Sequence, residues 1–203
     1  GFPYPTVTLL YDEFAAERVF VDMYLILDRS GSMTDKDWWD RPTSPKWDNA
    51  KKALKAFFRE PAMAGNNVAF QSFASTGCSA LSTPAVDYGT LNGHATALEA
   101  ELNRLESEGG TEMEGAIRGL VARTGARKAM KNVQIGVLIT DGRPEGDCED
   151  RIDRLKNIAN THFASTGIGT YFVGMDGAEF GGLGTLAANA APAPNNKAHN
   201  VGN

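Results

Sequence analysis

Three oxygen-bearing side chains stand close together near the start of the chain. Asp28, Ser30 and Ser32 come directly after the apolar run of residues 21–27. Such a run is typical of a buried strand that enters a loop at its carboxyl end, where open α/β sheets place their ligand sites. Carboxylate and hydroxyl oxygens suit Mg²⁺, Mn²⁺ or Ca²⁺ better than Zn²⁺ or copper. The three residues are therefore candidate metal ligands, although Asp and Ser are also common in ordinary turns.

Two later segments supply further side-chain oxygens, one after a pair of glycines and one after an apolar run. Gly109 and Gly110 precede Thr111, which opens a helical apolar pattern, and Asp141 follows the β-branched run of residues 133–140. Taken alone, these segments also fit a helix with a Thr N-cap and a strand that ends in an Asp-Gly turn. In this order along one chain, the three segments favour a single metal site.

The five candidate ligands resemble the metal-ion-dependent adhesion site (MIDAS) of the von Willebrand factor A domain, of the bacterial type. The signature of that family is Asp-x-Ser-x-Ser after the first strand, a Thr that heads a later helix and an Asp that ends the fourth strand, and no element of it is missing here. The resemblance implies that Ser30 and Ser32 bind the divalent cation directly. It also implies that Thr111 binds directly or through water, whereas Asp28 and Asp141 act mainly through bound waters.

The resemblance covers most of the chain and extends to the fold. Strands and helices alternate, which predicts an α/β, Rossmann-like, doubly wound and mostly parallel sheet. Residues 81–86 are predicted to form one antiparallel edge strand. Residues 168–174 and 183–187 are similar to the family's fifth strand and the helix after it. We expect an N-terminal extension over residues 1–18 and the domain over 19–203, which would end after this fifth unit without the family's closing helix.

Composition limits the classes of partner. A chain of 203 residues with 42% hydrophobic content is long enough for one domain with a full core. Its net charge of −5 and its scattered basic residues argue against nucleic acid. No apolar stretch reaches the roughly 20 residues that span a bilayer, so no transmembrane segment is expected in this chain.

The state of the two cysteines bears on whether the protein is found in an oxidising or a reducing compartment. Cys78 and Cys148 have no neighbouring Cys or His at zinc spacing. The fold resemblance would put both at the same rim of the sheet, so a disulfide between them and two free thiols both remain open. A bridge would indicate an oxidising compartment.

The loop before the first helix is longer than most strand-to-helix connections, and long loops tend to be functional. Trp38 and Trp39 within it are candidates for an exposed aromatic ligand rim beside the metal, or for a cap that folds over the core. Asp35, Asp37 and Asp40 are candidates for a second cation site or for a solvated surface. The sequence does not decide between these roles.

Three functions remain open, in order of preference. The first is an extracellular or cell-surface adhesion module, in which the divalent cation coordinates a carboxylate of a protein or matrix partner. The second is a cytoplasmic subunit that docks onto a larger, ATPase-type complex. The third is a Mg²⁺-dependent phosphoryl-transfer enzyme with Asp28 as nucleophile, but Ser30 stands where that chemistry needs a second acid. We therefore predict no catalytic residue, and no cofactor other than Mg²⁺, Mn²⁺ or Ca²⁺.

Overall fold

A twisted β-sheet forms the centre of the molecule. The computed structural model describes residues 18–34, 46–75, 77–142, 151–175, 178 and 180–200. Within these residues, six strands form one sheet in the order β3-β2-β1-β4-β5-β6. The strands are β1 (Val21–Asp28), β2 (Asn67–Phe73), β3 (Val86–Thr90), β4 (Val133–Thr140), β5 (Gly169–Gly174) and β6 (His199–Asn200). Only the β2–β3 pair is antiparallel, which confirms the predicted fold class.

Helices cover both faces of this sheet. In the described part of the chain they are α1 (Lys46–Arg59), α2 (Leu91–Arg104), α3 (Met113–Gly125), α4 (Ile152–Thr166) and α5 (Phe180–Ala187), with short 3₁₀ turns at Gly31–Met33 and Pro61–Met63. Side chains alternate along a strand, so Tyr24 and Ile26 of β1 join the core under α3, α4 and α5, whereas Leu25 and Leu27 join the core under α1 and α2. The central strand is thus buried on both faces.

Helix α1 shows how the apolar pattern determines packing. Trp47, Ala50, Leu54 and Phe58 recur every three or four residues and are all buried. This spacing places them on one face of the helix. The stripe fixes α1 against the sheet and so determines where its first residue, Lys46, can reach.

The edge strand lies later in the chain than predicted. Residues 81–86 were expected to form it, but β3 begins only at Val86. Leu81 instead crosses helix α3, where its N–H donates to the Gly115 carbonyl at 3.0 Å and its own carbonyl accepts from the Tyr24 hydroxyl at 2.7 Å. An added Cβ on Gly119 would lie 2.3 Å from the Leu81 carbonyl carbon. The glycines of α3 therefore let the loop backbone approach closely, which a strand prediction does not anticipate.

The C-terminal part also differs from the expectation. The domain was expected to end after the fifth strand-helix unit, but His199–Asn200 adds β6 parallel to β5. Buried Ala190 and Ala191 carry the chain back towards the sheet, and the Ala190 carbonyl accepts from the Thr170 N–H at 2.7 Å. In the described part of the chain α5 is the last helix.

No helix among the described residues is long and apolar enough to cross a membrane. Of the predicted extension, residues 1–17 lie outside the described part.

A buried polar cluster closes the opposite end of the sheet, at the start of β1. The Asp22 carboxylate accepts hydrogen bonds from Asn67 and Asn132 at 2.8 Å and from Gln134 at 3.1 Å, and it forms an ion pair with Arg127. Asp22 is 1% exposed. Each oxygen of this buried charge is satisfied, as buried charges require.

Candidate metal centre

The predicted ligands gather at the carboxyl edge of the sheet. Strands β1 and β4 are parallel neighbours, with Leu27 opposite Ile139, so the residues after them emerge side by side. Asp28 ends β1, and Asp141 follows β4 directly. Both carboxylates thus lie at the same end of adjacent strands, where open α/β sheets bind ligands.

The two serines and Asp141 form a continuous chain of oxygens. Ser30 Oγ and Ser32 Oγ are 3.0 Å apart, and Ser32 Oγ donates to Asp141 Oδ1 at 2.9 Å. The short 3₁₀ turn that begins at Gly31 brings the alternate serines to one point. Three of the five predicted ligands are therefore linked by two contacts, with Ser32 in the middle.

Asp28 is the most deeply placed member of the set. It is fully buried, Oδ1 accepts from the Ser30 N–H at 2.8 Å, and Oδ2 accepts from the Thr140 hydroxyl. Burial raises the pKa of the Asp28 carboxyl to about 6, and hydrogen bonds from Thr140 and Ser30 oppose that rise. Both oxygens are engaged, so Asp28 orients the loop of the serines.

Thr111 reaches the same edge from the loop before α3. It is 5% exposed and does not cap the helix, which begins at Met113 with Glu112 at the N-cap position. An added Cβ on Gly142 would lie 3.2 Å from Thr111 Oγ1 and 3.7 Å from Ser32 Oγ. The missing side chain of Gly142 thus leaves room between the Thr111 and Ser32 hydroxyls.

Backbone hydrogen bonds tie three loops together beneath these side chains. Arg29 N donates to the Phe73 carbonyl at 2.8 Å, and Glu108 N donates to the Arg29 carbonyl at 2.7 Å. Gly31 N donates to the Gly109 carbonyl at 2.9 Å. The loop of the serines is therefore held by β2 and by the segment that leads to Thr111.

One functional candidate was missed in the sequence. The Lys46 ammonium lies 2.6 Å from Asp141 Oδ2 and 3.2 Å from the Ser32 carbonyl oxygen. Its position at the start of the first helix, after a long loop, was the only available signal, because the contact spans 95 residues. The sequence pattern likewise places Thr140 and Gly142 only in a strand and a turn.

The donor set fits a hard divalent cation. Within the described ranges, no group of three or more His, Cys, Asp or Glu side chains is arranged to hold a metal ion. An ion at this edge would depend on three hydroxyls together with two carboxylates. These are ligands of the class that Mg²⁺, Mn²⁺ and Ca²⁺ accept.

Several predicted residues lie outside the described part of the chain. These are Trp38 and Trp39 of the proposed rim, the acids Asp35, Asp37 and Asp40, and Cys148. Cys78 lies between β2 and β3 and is disulfide-bonded. Cys148 is the only other cysteine of the sequence.

Comparison with known proteins gives the family. A family model described as von Willebrand factor type A domain matches residues 23–143, which is more than half of the chain. The chain belongs to this family. The matched range of this von Willebrand factor type A domain contains all five candidate ligands. No curated protein sequence matches the chain.

Solved structures share the fold of this von Willebrand factor type A domain at low sequence identity. The pilus adhesin SpaC from Lactobacillus rhamnosus GG is 16% identical over 91% of this chain, with a TM-score of 0.67, and the chain spans 29% of that protein's length. The vWF domain of the type V pili tip protein Mfa5 from Porphyromonas gingivalis is 13% identical over 91% of this chain and 90% of its own, with a TM-score of 0.60. Proximal thread matrix protein 1 from the mussel byssus, with a zinc-occupied MIDAS motif, is 13% identical over 91% of this chain and 44% of its own, with a TM-score of 0.58.

Proposed function

We propose that this domain binds a divalent cation at the carboxyl edge of its sheet and, through that cation, a carboxylate of a protein or matrix partner. The observation that carries the proposal is the contact chain from Ser30 Oγ through Ser32 Oγ to Asp141 Oδ1. Hydroxyls and a carboxylate meet there without the Cys or His ligands that softer metals prefer.

The residues have different roles in this proposal. Ser30 and Ser32 are the direct ligands, and Thr111 contributes its hydroxyl directly or through water. Asp28 and Asp141 act mainly through water; both Asp28 oxygens already accept hydrogen bonds within the protein. A hard cation with few charged direct ligands stays electrophilic and keeps water positions that a partner's carboxylate can take.

The proposal is for binding, not for turnover. The alternative enzyme needs Asp28 as an exposed nucleophile, but Asp28 is fully buried and both of its oxygens are engaged. A nucleophile also needs an adjacent base, and the contacts of Asp28 are hydroxyl and backbone N–H groups. The related folds in the pilus adhesin, the pilus tip protein and the matrix protein support a protein or matrix partner. The ligand rim of Trp38 and Trp39 stays a prediction.

We propose an extracellular or cell-surface location, because Cys78 is disulfide-bonded and disulfides persist in oxidising compartments. We propose Cys148 as the partner of Cys78. Peptide mass analysis without reductant, on protein from an oxidising host, is expected to recover one cross-linked peptide that contains both cysteines. Two free thiols in that material would contradict the bridge and favour the cytoplasmic alternative.

Metal binding itself has a direct test. Addition of millimolar Mg²⁺, Mn²⁺ or Ca²⁺ to the protein after chelation is expected to raise the melting temperature, because an ion that binds only the folded state stabilises it by mass action. At a free metal concentration one hundred times the dissociation constant, the gain is about 2.7 kcal/mol. For a domain of this size, such a gain corresponds to a shift of roughly 5 to 10 °C.

Differential scanning fluorimetry across a metal titration measures this shift. A monovalent salt at equal ionic strength provides the control for general charge screening. A melting temperature that does not change up to millimolar levels of all three cations would exclude the proposed site.

A further inference from the structure

A positive side chain already lies against the proposed metal site. Lys46 is the first residue of α1, and its ammonium contacts both Asp141 Oδ2 and the Ser32 carbonyl oxygen. The Lys46 side chain is 16% exposed and that of Asp141 is 1% exposed. The ion pair is therefore largely shielded from water.

Shielding makes this contact costly to break. A buried carboxylate without a counter-charge pays a large desolvation penalty, so the ammonium stabilises Asp141 when no other cation is near. The α1 stripe packs against the sheet, and this packing holds the base of the Lys46 side chain beside the site. The contact thus follows from the fold and not from a mobile surface residue.

The same contact opposes a second cation. The ammonium touches atoms of two residues, Ser32 and Asp141, that belong to the proposed ligand set. A divalent ion that approached Asp141 would meet a like charge within a few ångströms, where repulsion in a partly buried site is strong. Ammonium and metal therefore compete for the negative charge of Asp141.

We infer that Lys46 is a built-in competitor of the metal: it stabilises the metal-free domain and lowers the affinity for the divalent cation. This inference rests on the proposed function, since it concerns the same site. An ammonium that stays on Asp141 repels the incoming ion, which links occupancy of the site to the position of the first turn of α1. Partner binding would then need a higher metal concentration than it would without Lys46.

The test uses a matched pair of charge-removing substitutions in one helix. Lys46→Gln removes the ammonium at the site, and Lys52→Gln removes an exposed ammonium on the same helix. Mn²⁺ affinity is measured by isothermal titration calorimetry and by the electron paramagnetic resonance signal of free Mn²⁺. We expect Lys46→Gln to bind Mn²⁺ at least tenfold more tightly than the wild type and to melt at a lower temperature without metal. Lys52→Gln is expected to change the affinity less than threefold.

The possible outcomes separate the competitor role of Lys46 from the existence of the metal site. If the wild type binds Mn²⁺ through Ser30 but Lys46→Gln binds equally or more weakly, the competitor role is wrong and the metal site stands. If neither protein binds Mn²⁺, the metal site is wrong and the inference falls with it. Should Lys46→Gln fail to fold, Lys46→Arg keeps a cation in place, and we expect its affinity to stay within threefold of the wild type. A tenfold gain in Lys46→Arg would overturn the inference.

Discussion

Ser30→Ala is expected to abolish the metal-induced rise in melting temperature while it leaves the metal-free protein close to wild-type stability. The substitution removes one hydroxyl, which lies 3.0 Å from Ser32 Oγ and also hydrogen-bonds the Asp28 carboxyl. It leaves intact the hydrogen bond from the Ser30 N–H to Asp28, which belongs to the backbone. The loop therefore keeps its conformation but loses a proposed direct ligand. At a metal concentration that stabilises the wild type by about 2.7 kcal/mol, the variant is expected to gain nothing measurable.

Ser165→Ala is the matched control for this experiment. Its hydroxyl bonds to carbonyls within α4, far along the chain from the proposed ligands, so its metal shift should equal that of the wild type. Asp141→Ala is expected to remove the metal shift as well. It also removes one ion-pair partner of Lys46, so its metal-free stability should fall, which makes Ser30→Ala the cleaner variant. A full metal shift in Ser30→Ala would contradict the assigned ligand role.

Asp22→Ala is expected to cost the fold about 3 to 5 kcal/mol, the range for removal of one partner from a buried charge pair. Asp22 is the common acceptor for Arg127, Asn132, Asn67 and Gln134. Its loss removes the common acceptor of these buried and half-buried donors next to β1, a strand at the centre of the sheet. Urea denaturation of the wild type and the variant measures the difference. Asp48→Ala, at an exposed position in the first turn of α1, is expected to cost less than about 1 kcal/mol.

The same cluster gives stability a pH dependence. Burial alone would raise the pKa of Asp22, but hydrogen bonds from Arg127, Asn132, Asn67 and Gln134 outweigh it and hold the pKa below the ordinary value of 3.8. A carboxyl with a lowered pKa in the folded state stabilises the fold above the unfolded-state pKa and loses that contribution as the pH falls. The stability difference between the wild type and Asp22→Ala should therefore shrink as the pH drops below about 4. A difference that is constant down to pH 2 would show that the Asp22 charge is not responsible.

The fold was predictable because its signals are local. An apolar run marks β1, a β-branched run marks β4, and apolar residues recur every three or four positions along α1. The segment that begins at Leu81 was predicted to be a strand, yet it crosses α3 because Gly115 and Gly119 leave room for the loop backbone. That choice depends on a close contact between segments far apart in sequence, which residue patterns do not encode.

The candidate site likewise has a part that is local in sequence and a part that depends on tertiary contacts. Asp28, Ser30 and Ser32 sit in one short segment, and the resemblance to the family motif was enough to join Thr111 and Asp141 to them. Lys46 had no such motif, because its contact with Asp141 depends on the tertiary position of α1. Long-range ion pairs of this kind become visible only when the helix is placed on the sheet.

Main-chain atoms hold the site edge together, through the bonds from Arg29 N to Phe73 O, from Glu108 N to Arg29 O and from Gly31 N to Gly109 O. Every amino acid except proline carries the same backbone donor and acceptor. Evolution can therefore exchange most side chains around the edge without moving the loops apart, and so can a protein engineer. The preference for the proposed partner can drift, or be redesigned, while these main-chain bonds keep the loops in place.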